Sequence, residues 1–201
     1  MERHVSISSG NSKMGAIKSV SLPSIITCRL CDCNFKCYAN KLERLRPNVC
    51  NAYKNNLDIL QTDPDQYWRE VEAAIMTSRY FRFHVSGDIP DAEYLHRMIE
   101  VAERNQHCEI LCFTKKFSLV NNYIGANGNL PGNLHMTFSG WPGLRMENPF
   151  HLPEAHVRFK NGATTARADA HQCCGNCTEC AITDSGCWVL LPGEQVIFDE
   201  H

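Results

Sequence analysis

The chain has 201 residues, a formal net charge of −2 and twelve cysteines, enough length for one domain with a sizeable core. Near-neutral charge excludes a global field for nucleic acid and leaves only a local basic groove open. No apolar run reaches the ~20 residues of a membrane span, and the opening "MERHVSISSGNSKMG" has no apolar core of a secretory signal, so a cytoplasmic protein with no membrane partner is expected.

The first elements gather around cysteines. Residues 1–27 are rich in Ser and Gly and turn apolar at "SVSLPSIIT", where Ile25 and Ile26 suggest a short buried strand or an extended lead-in. Residues 28–41, "CRLCDCNFKCYANK", form a Cys-rich loop holding Cys28, Cys31, Cys33 and Cys37. Reduced thiols clustered in this way are more often metal ligands than disulfides. Only Cys28 and Cys31 have the two-residue gap of a zinc knuckle. Several thiolates on one loop suit an iron–sulfur cubane, whose irons are spread apart. Iron–sulfur, zinc and reduced structural thiols all remain open on this loop alone.

Two short helices follow, "NKLERLR" up to Pro47 and then "VCNAYKNNLDIL". Asp63, Pro64 and Gln66 have the spacing of a capping box, and Trp68, Val71, Ala74 and Ile75 recur at helical period to about Arg79. "YFRFHVSG" reads as a strand, with His84 and Ser86 on one face and Phe83, Val85 and Gly87 on the other. Asp91 caps the helix "AEYLHRMIEVAERN", and "CEILCFTKK" is the next strand. "NLHMTFSG" and "AHVRF" are later strands. Helices alternating with strands predict parallel crossovers and a single α/β domain over 1–201, a layer or partial barrel of four to six strands. Ligands in such folds sit at the C-terminal strand ends. Cys50, Cys108 and Cys112 lack ligand spacing and read as small buried residues. Trp141 in "SGWPG" is either a platform at a strand end or local packing.

The segment 171–188, "HQCCGNCTECAITDSGCW", carries Cys173, Cys177 and Cys180 at CxxxCxxC spacing, then Cys187; Cys174 is an alternative to Cys173. An auxiliary iron–sulfur cluster, a zinc site closed by four thiolates, and one cofactor shared with the first loop are the three readings.

Two resemblances bear on these residues. "FHVSGDIPDAEYLHRMIEVAERNQHCEILCFTKK" resembles the second strand, loop, helix and third strand of radical S-adenosylmethionine (SAM) barrels, with Ser86-Gly87-Asp88 at the cofactor loop; the family's double glycine and Glu are here one Gly and an Asp. The stretches "GNSKMG", "SLPSIITC", "CYANK", "FRFHVSGDIPDAEYLHRMIEVAER" and "CGNCTEC…GCW" resemble the bacteriophage gene-product-88-like family, itself similar to radical SAM and spore-photoproduct-lyase-like proteins. The resemblance implies a partial (β/α) barrel of radical SAM type with Cys-rich N- and C-terminal loops. It selects Cys28, Cys33 and Cys37 as ligands of a [4Fe–4S] cluster and leaves Cys31 as an extra thiol. It places SAM beside Ser86, Gly87 and Asp88, whose carboxylate would accept from the SAM amino group. An electron donor and a modified nucleotide or nucleic acid are the implied partners, in the host cytoplasm for a phage-encoded chain. A non-catalytic iron–sulfur protein on a degenerate barrel, serving electron transfer, redox sensing or nucleic-acid handling, and a zinc-stabilised binding module are the alternatives.

Overall fold

The computed structural model describes residues 3–28, 33 and 36–200. Among these residues seven strands form one sheet: β1 (Lys18–Val20), β2 (Tyr80–Phe83), β3 (Glu109–Thr114), β4 (Leu134–Ser139), β5 (Glu154–Arg158), β6 (His171–Gln172) and β7 (Gln195–Asp199). Every ladder is parallel, in the order β1-β2-β3-β4-β5-β7-β6. The expected α/β domain with parallel crossovers is observed, with seven strands rather than four to six. Among the described residues the edge strands β1 and β6 do not pair, so the ladder is open.

Among the described residues seven α-helices accompany the strands: α1 (Ser24–Thr27), α2 (Tyr38–Leu45), α3 (Pro47–Thr62), α4 (Pro64–Met76), α5 (Ala92–Arg104), α6 (Phe117–Asn127) and α7 (Cys177–Ile182). None of the described helices is long and apolar enough to cross a membrane. The local signals work as elementary chemistry dictates. Asp63 Oδ1 accepts from the Gln66 N–H at 2.9 Å and Asp91 Oδ1 from the Tyr94 N–H at 2.9 Å, each satisfying a first-turn donor. The second half of the capping box is not made: the Gln66 side chain donates to the Arg3 carbonyl and to Glu70.

The strands' alternation sorts their side chains onto two faces. Val20, Phe81, Phe83, Ile110, Cys112, Leu134, Met136 and Phe138 meet the apolar stripes of α4, α5 and α6 in the main core. The other face carries Tyr80, Arg82, Leu111 and Phe113, and against it lie Met14, Ile17, Ala181 of α7 and Trp188. This inner face is concave. β3 and β7 are separated by β4 and β5, which in a flat sheet would put them ~14 Å apart. Yet the Phe113 and Phe198 ring centroids are 5.9 Å apart, so the sheet curls around them.

Two local expectations change. The apolar run before the cysteines is β1 followed by the single turn α1, and Ile25 and Ile26 are exposed rather than buried. β2 ends at Phe83. His84 takes a left-handed conformation with φ of 58°, so the strand alternation does not continue to Ser86.

Candidate functional site

The cysteine loop after β1 is anchored to the loops that follow β2 and β3. The buried carboxylate of Glu43 on α2 accepts from the Ser24 N–H at 2.9 Å and from the Ser86 hydroxyl at 2.6 Å. The Thr27 hydroxyl donates to the Pro23 carbonyl and accepts from the Asp88 N–H at 3.0 Å. Asp88 is buried. Its Oδ1 accepts from the Thr114 hydroxyl at 2.6 Å and the Ile89 N–H at 2.8 Å, and its Oδ2 accepts from the Lys115 N–H at 2.9 Å. Burial pushes its carboxyl above the usual carboxylate range against these bonds. Gly87 has φ of 83°, and a Cβ there would stand 2.5 Å from the Leu22 carbonyl oxygen. Only glycine lets the two loops approach this closely.

Cys37 is the residue that caps α2. A hydrogen bond from the Cys33 thiol is the largest influence on it, and the Asn40 and Ala39 N–H groups and the Lys115 charge act in the same sense. Against burial, these hold its thiol down at about 6, so it is largely thiolate at neutral pH. Cys28 and Cys37 line a cavity of about 90 Å³ at the C-terminal ends of β2 and β3, with Ser86, Gly87 and Lys115 on its wall. The structure therefore brings Cys28, Cys37, Ser86 and Gly87 to one place, with buried Cys33 bonded to Cys37. Asp88 lies behind that wall and braces it. Cys31 falls outside the described residues.

The second cysteine set sits against the inner face. The Cys173 N–H donates to the Ile197 carbonyl. The chain then turns into α7, where the Asn176 side chain accepts from the Glu179 N–H at 3.2 Å. The Cys177 N–H and the Thr178 hydroxyl donate to the carbonyls of Lys13 and Met14, pinning α7 to the segment before β1. Cys187 follows in the short 3-10 turn Gly186–Trp188. Cys173, Cys174, Cys177, Cys180 and Cys187 all line a cavity of about 480 Å³. The Cys174 and Cys180 sulfurs are 3.3 Å apart. At Gly186, with φ of 61°, a Cβ would meet the Cys180 sulfur at 2.8 Å. Burial pushes Cys177 up, Cys180 up to about 11 and Cys187 up to about 12, with neighbouring cysteines adding to the rise. Exposed Cys174 moves down, chiefly through the Asn176 backbone and then Cys180.

Among the described residues no three His, Cys, Asp or Glu side chains are grouped to hold a metal ion. Cys28 and Cys37 line one cavity and the second cysteine set lines another, and Arg82 and Phe113 border both. Glu43, Thr27, Arg82 and Lys115 shape these cavities and did not stand out in the sequence. Glu43 looks like an ordinary charged position of a short helix. Arg82 did leave a signal, as a lone cation in the aromatic strand "YFRF". His84 is buried between Phe83 and Tyr94, at ring distances of 5.9 and 5.4 Å, with neither ring nitrogen hydrogen-bonded. Burial, then the Arg82 charge, pushes it down to about 3. Trp141 packs edge-on against Phe159 at 5.3 Å.

A curled parallel sheet with one cysteine loop beyond its first strand and a second cysteine set on its concave face defines an α/β protein with cysteine-lined inner cavities. The family model described as gene product 88 matches residues 4–181, and the chain belongs to that family. No curated protein and no solved structure matches the chain.

Proposed function

We propose that the protein is an iron–sulfur protein of radical SAM-like type on a partial (β/α) barrel. Cys28, Cys33 and Cys37 would hold a [4Fe–4S] cluster, which when bound supplies one electron and an open iron for SAM. The observation that carries this reading is Cys37. Its thiol is held low at a helix N-terminus, bonded to Cys33, on the same cavity wall as Cys28, Ser86 and Gly87. A cluster needs thiolates, and Cys37 is held toward one before any metal arrives.

The chain's own residues have defined tasks in this reading. Ser86 and Gly87 form the wall beside which SAM would lie. Glu43 fixes Ser86, and Asp88 fixes the first residues after β3, including Lys115. Lys115, whose ammonium reaches the Ser139 hydroxyl at 3.0 Å, places a positive charge near Cys37 and stabilises its anion. Cys173, Cys177, Cys180 and Cys187 would hold an auxiliary cluster, with zinc as the rival ion there.

One observation favours the non-catalytic alternative. All but one of the Asp88 lone-pair positions are taken by Thr114, Ile89 and Lys115, which leaves little for an incoming ammonium. Anaerobic reconstitution followed by dithionite and SAM separates the readings. The enzyme reading expects reductive cleavage of SAM, measured as 5′-deoxyadenosine. A reconstituted iron–sulfur protein that binds no SAM and releases none of this product would sink it in favour of electron transfer or redox sensing.

A further inference from the structure

Between the two cysteine cavities lies a third, of about 300 Å³, bordered by Lys13, Lys36, Arg82, Phe113, Trp141 and Phe198. Arg82 borders all three cavities. It stands on the inner face of β2, in register with Leu111 of β3, and its guanidinium lies 4.9 Å from the Phe113 centroid. Its Nε is buried with no hydrogen-bond partner, and no ion pair reaches its side chain among the described residues. The half-buried guanidinium, with no carboxylate partner among the described residues, can pair with an anion that enters the cavity.

The surroundings narrow the anion. Lys13 Nζ lies 4.7 Å from the Phe198 centroid, and Lys36 Nζ lies 4.6 Å from that of Phe159. Acidic groups are also present, but they are engaged: Asp199 pairs with Arg158 at 2.7 Å and Glu200 lies 3.9 Å from Lys36. Aromatic rings border the same space: Phe113 and Phe198, which meet edge-on, and Trp141. Aromatic faces stack on bases, and a guanidinium fork pairs with phosphate oxygens.

We propose that this inner cavity binds a nucleoside phosphate, its phosphate on Arg82 and Lys13 and its base against the aromatic walls. The volume, at the small end of ligand pockets, favours a single nucleotide over a strand. The net charge of −2 points the same way, since a strand-binding surface is typically basic. The proposal goes beyond the iron–sulfur reading and does not rest on it, since none of the groups invoked is a cysteine.

The test is calorimetry on the full purified chain, with iron content measured on the same sample. The probes are AMP, GMP, CMP and UMP, the four nucleosides, inorganic phosphate, SAM and a short single-stranded oligonucleotide. At least one nucleotide should bind, and its nucleoside should bind at least about tenfold more weakly, as the loss of a charge-assisted contact implies. Arg82→Gln and Lys13→Gln should each weaken the nucleotide by about tenfold or more. Arg82→Gln should melt close to the parent, because it breaks no ion pair among the described residues and a polar side chain replaces a half-buried one. Lys13→Gln keeps the proposal testable if Arg82→Gln fails to fold. Absence of nucleotide binding, equal binding of phosphate alone, binding of SAM only, tighter binding of the oligonucleotide, or full affinity in both variants would each overturn the proposal. Iron content reports on the cluster independently of every one of these outcomes.

Discussion

The two cysteine sets have the same donor atoms, but Cys37 in the first and Cys180 and Cys187 in the second are shifted in opposite directions. In the first, Cys37 caps a helix, accepts from Cys33 and backbone N–H groups, and feels Lys115, so its thiol is held at about 6. In the second, burial and neighbouring sulfurs push Cys180 to about 11 and Cys187 to about 12. Arg82 opposes the rise at Cys187 but ranks below burial and Cys173 among its causes. In this contrast hydrogen bonding and burial, then local charge, separate thiols that count and spacing treat alike. Cys37 is prepared to bind metal at neutral pH, whereas at Cys180 and Cys187 the metal must itself displace protons.

The largest expected effect is in thiol reactivity. At pH 7 a thiol of pKa about 6 is about nine-tenths thiolate, and one of about 12 is ionised in roughly one molecule in a hundred thousand. Iodoacetamide labelling of the metal-free chain, followed by peptide mass spectrometry, should modify Cys37 well before Cys180 or Cys187. Raising the pH should narrow the gap, because the second set gains thiolate while Cys37 is already ionised. Labelling of Cys187 before Cys37 at pH 7 would break the comparison.

A smaller effect distinguishes the backbone supports. Gly87 and Gly175 flank the two sets with φ of 83° and 80°, but only Gly87 has backbone in the way of a Cβ. Gly175→Ala should cost about 1 kcal/mol, from the conformation alone. Gly87→Ala should cost about 3 kcal/mol or more, from conformation and collision together. Denaturant unfolding measures both, and equal costs would show that the β1 and β2 loops yield to one another.

Asp88→Asn is a milder change than Gly87→Ala. An amide keeps one acceptor oxygen but turns an NH2 toward groups that themselves donate, at a cost of about 1–2 kcal/mol. Thermal unfolding should show that loss, with metal content unchanged. Loss of iron with full stability would instead place Asp88 in the site itself.

The sequence made much of the scaffold legible where signals are local. The apolar period of α4 and α5, their Asp caps and the aromatic, β-branched runs of β2 to β5 all appear where the residues put them. What escaped was set by distant partners. α6 shows Phe117, Val120 and Ile124 at helical spacing, but its ends carry weak signals: Lys116 makes no capping bond. β6 has two residues and exists through its pairing with β7. β7 itself, with Val196 and Phe198 on the inner face, lies in a tail dominated by the cysteines before it. At the site, spacing located both cysteine sets and family resemblance chose among the first. Neither could show that Glu43 would reach Ser86 or that Arg82 would stand between the two sets, because those relations are made by the curl of the sheet.

The central claim is that Cys28, Cys33 and Cys37 hold an iron–sulfur cluster, and anaerobic iron, zinc and acid-labile sulfide analysis of cysteine variants tests it most directly. The parent chain, made with ample iron, should contain iron and sulfide well above zinc, with the brown colour of a cluster. Cys28→Ala, Cys33→Ala and Cys37→Ala should each remove one cluster's worth of iron and sulfide, Cys31→Ala should keep it, and Cys187→Ala should leave this loop's cluster in place. Stoichiometric zinc without sulfide in the parent, or iron unchanged in all three variants, would contradict the account.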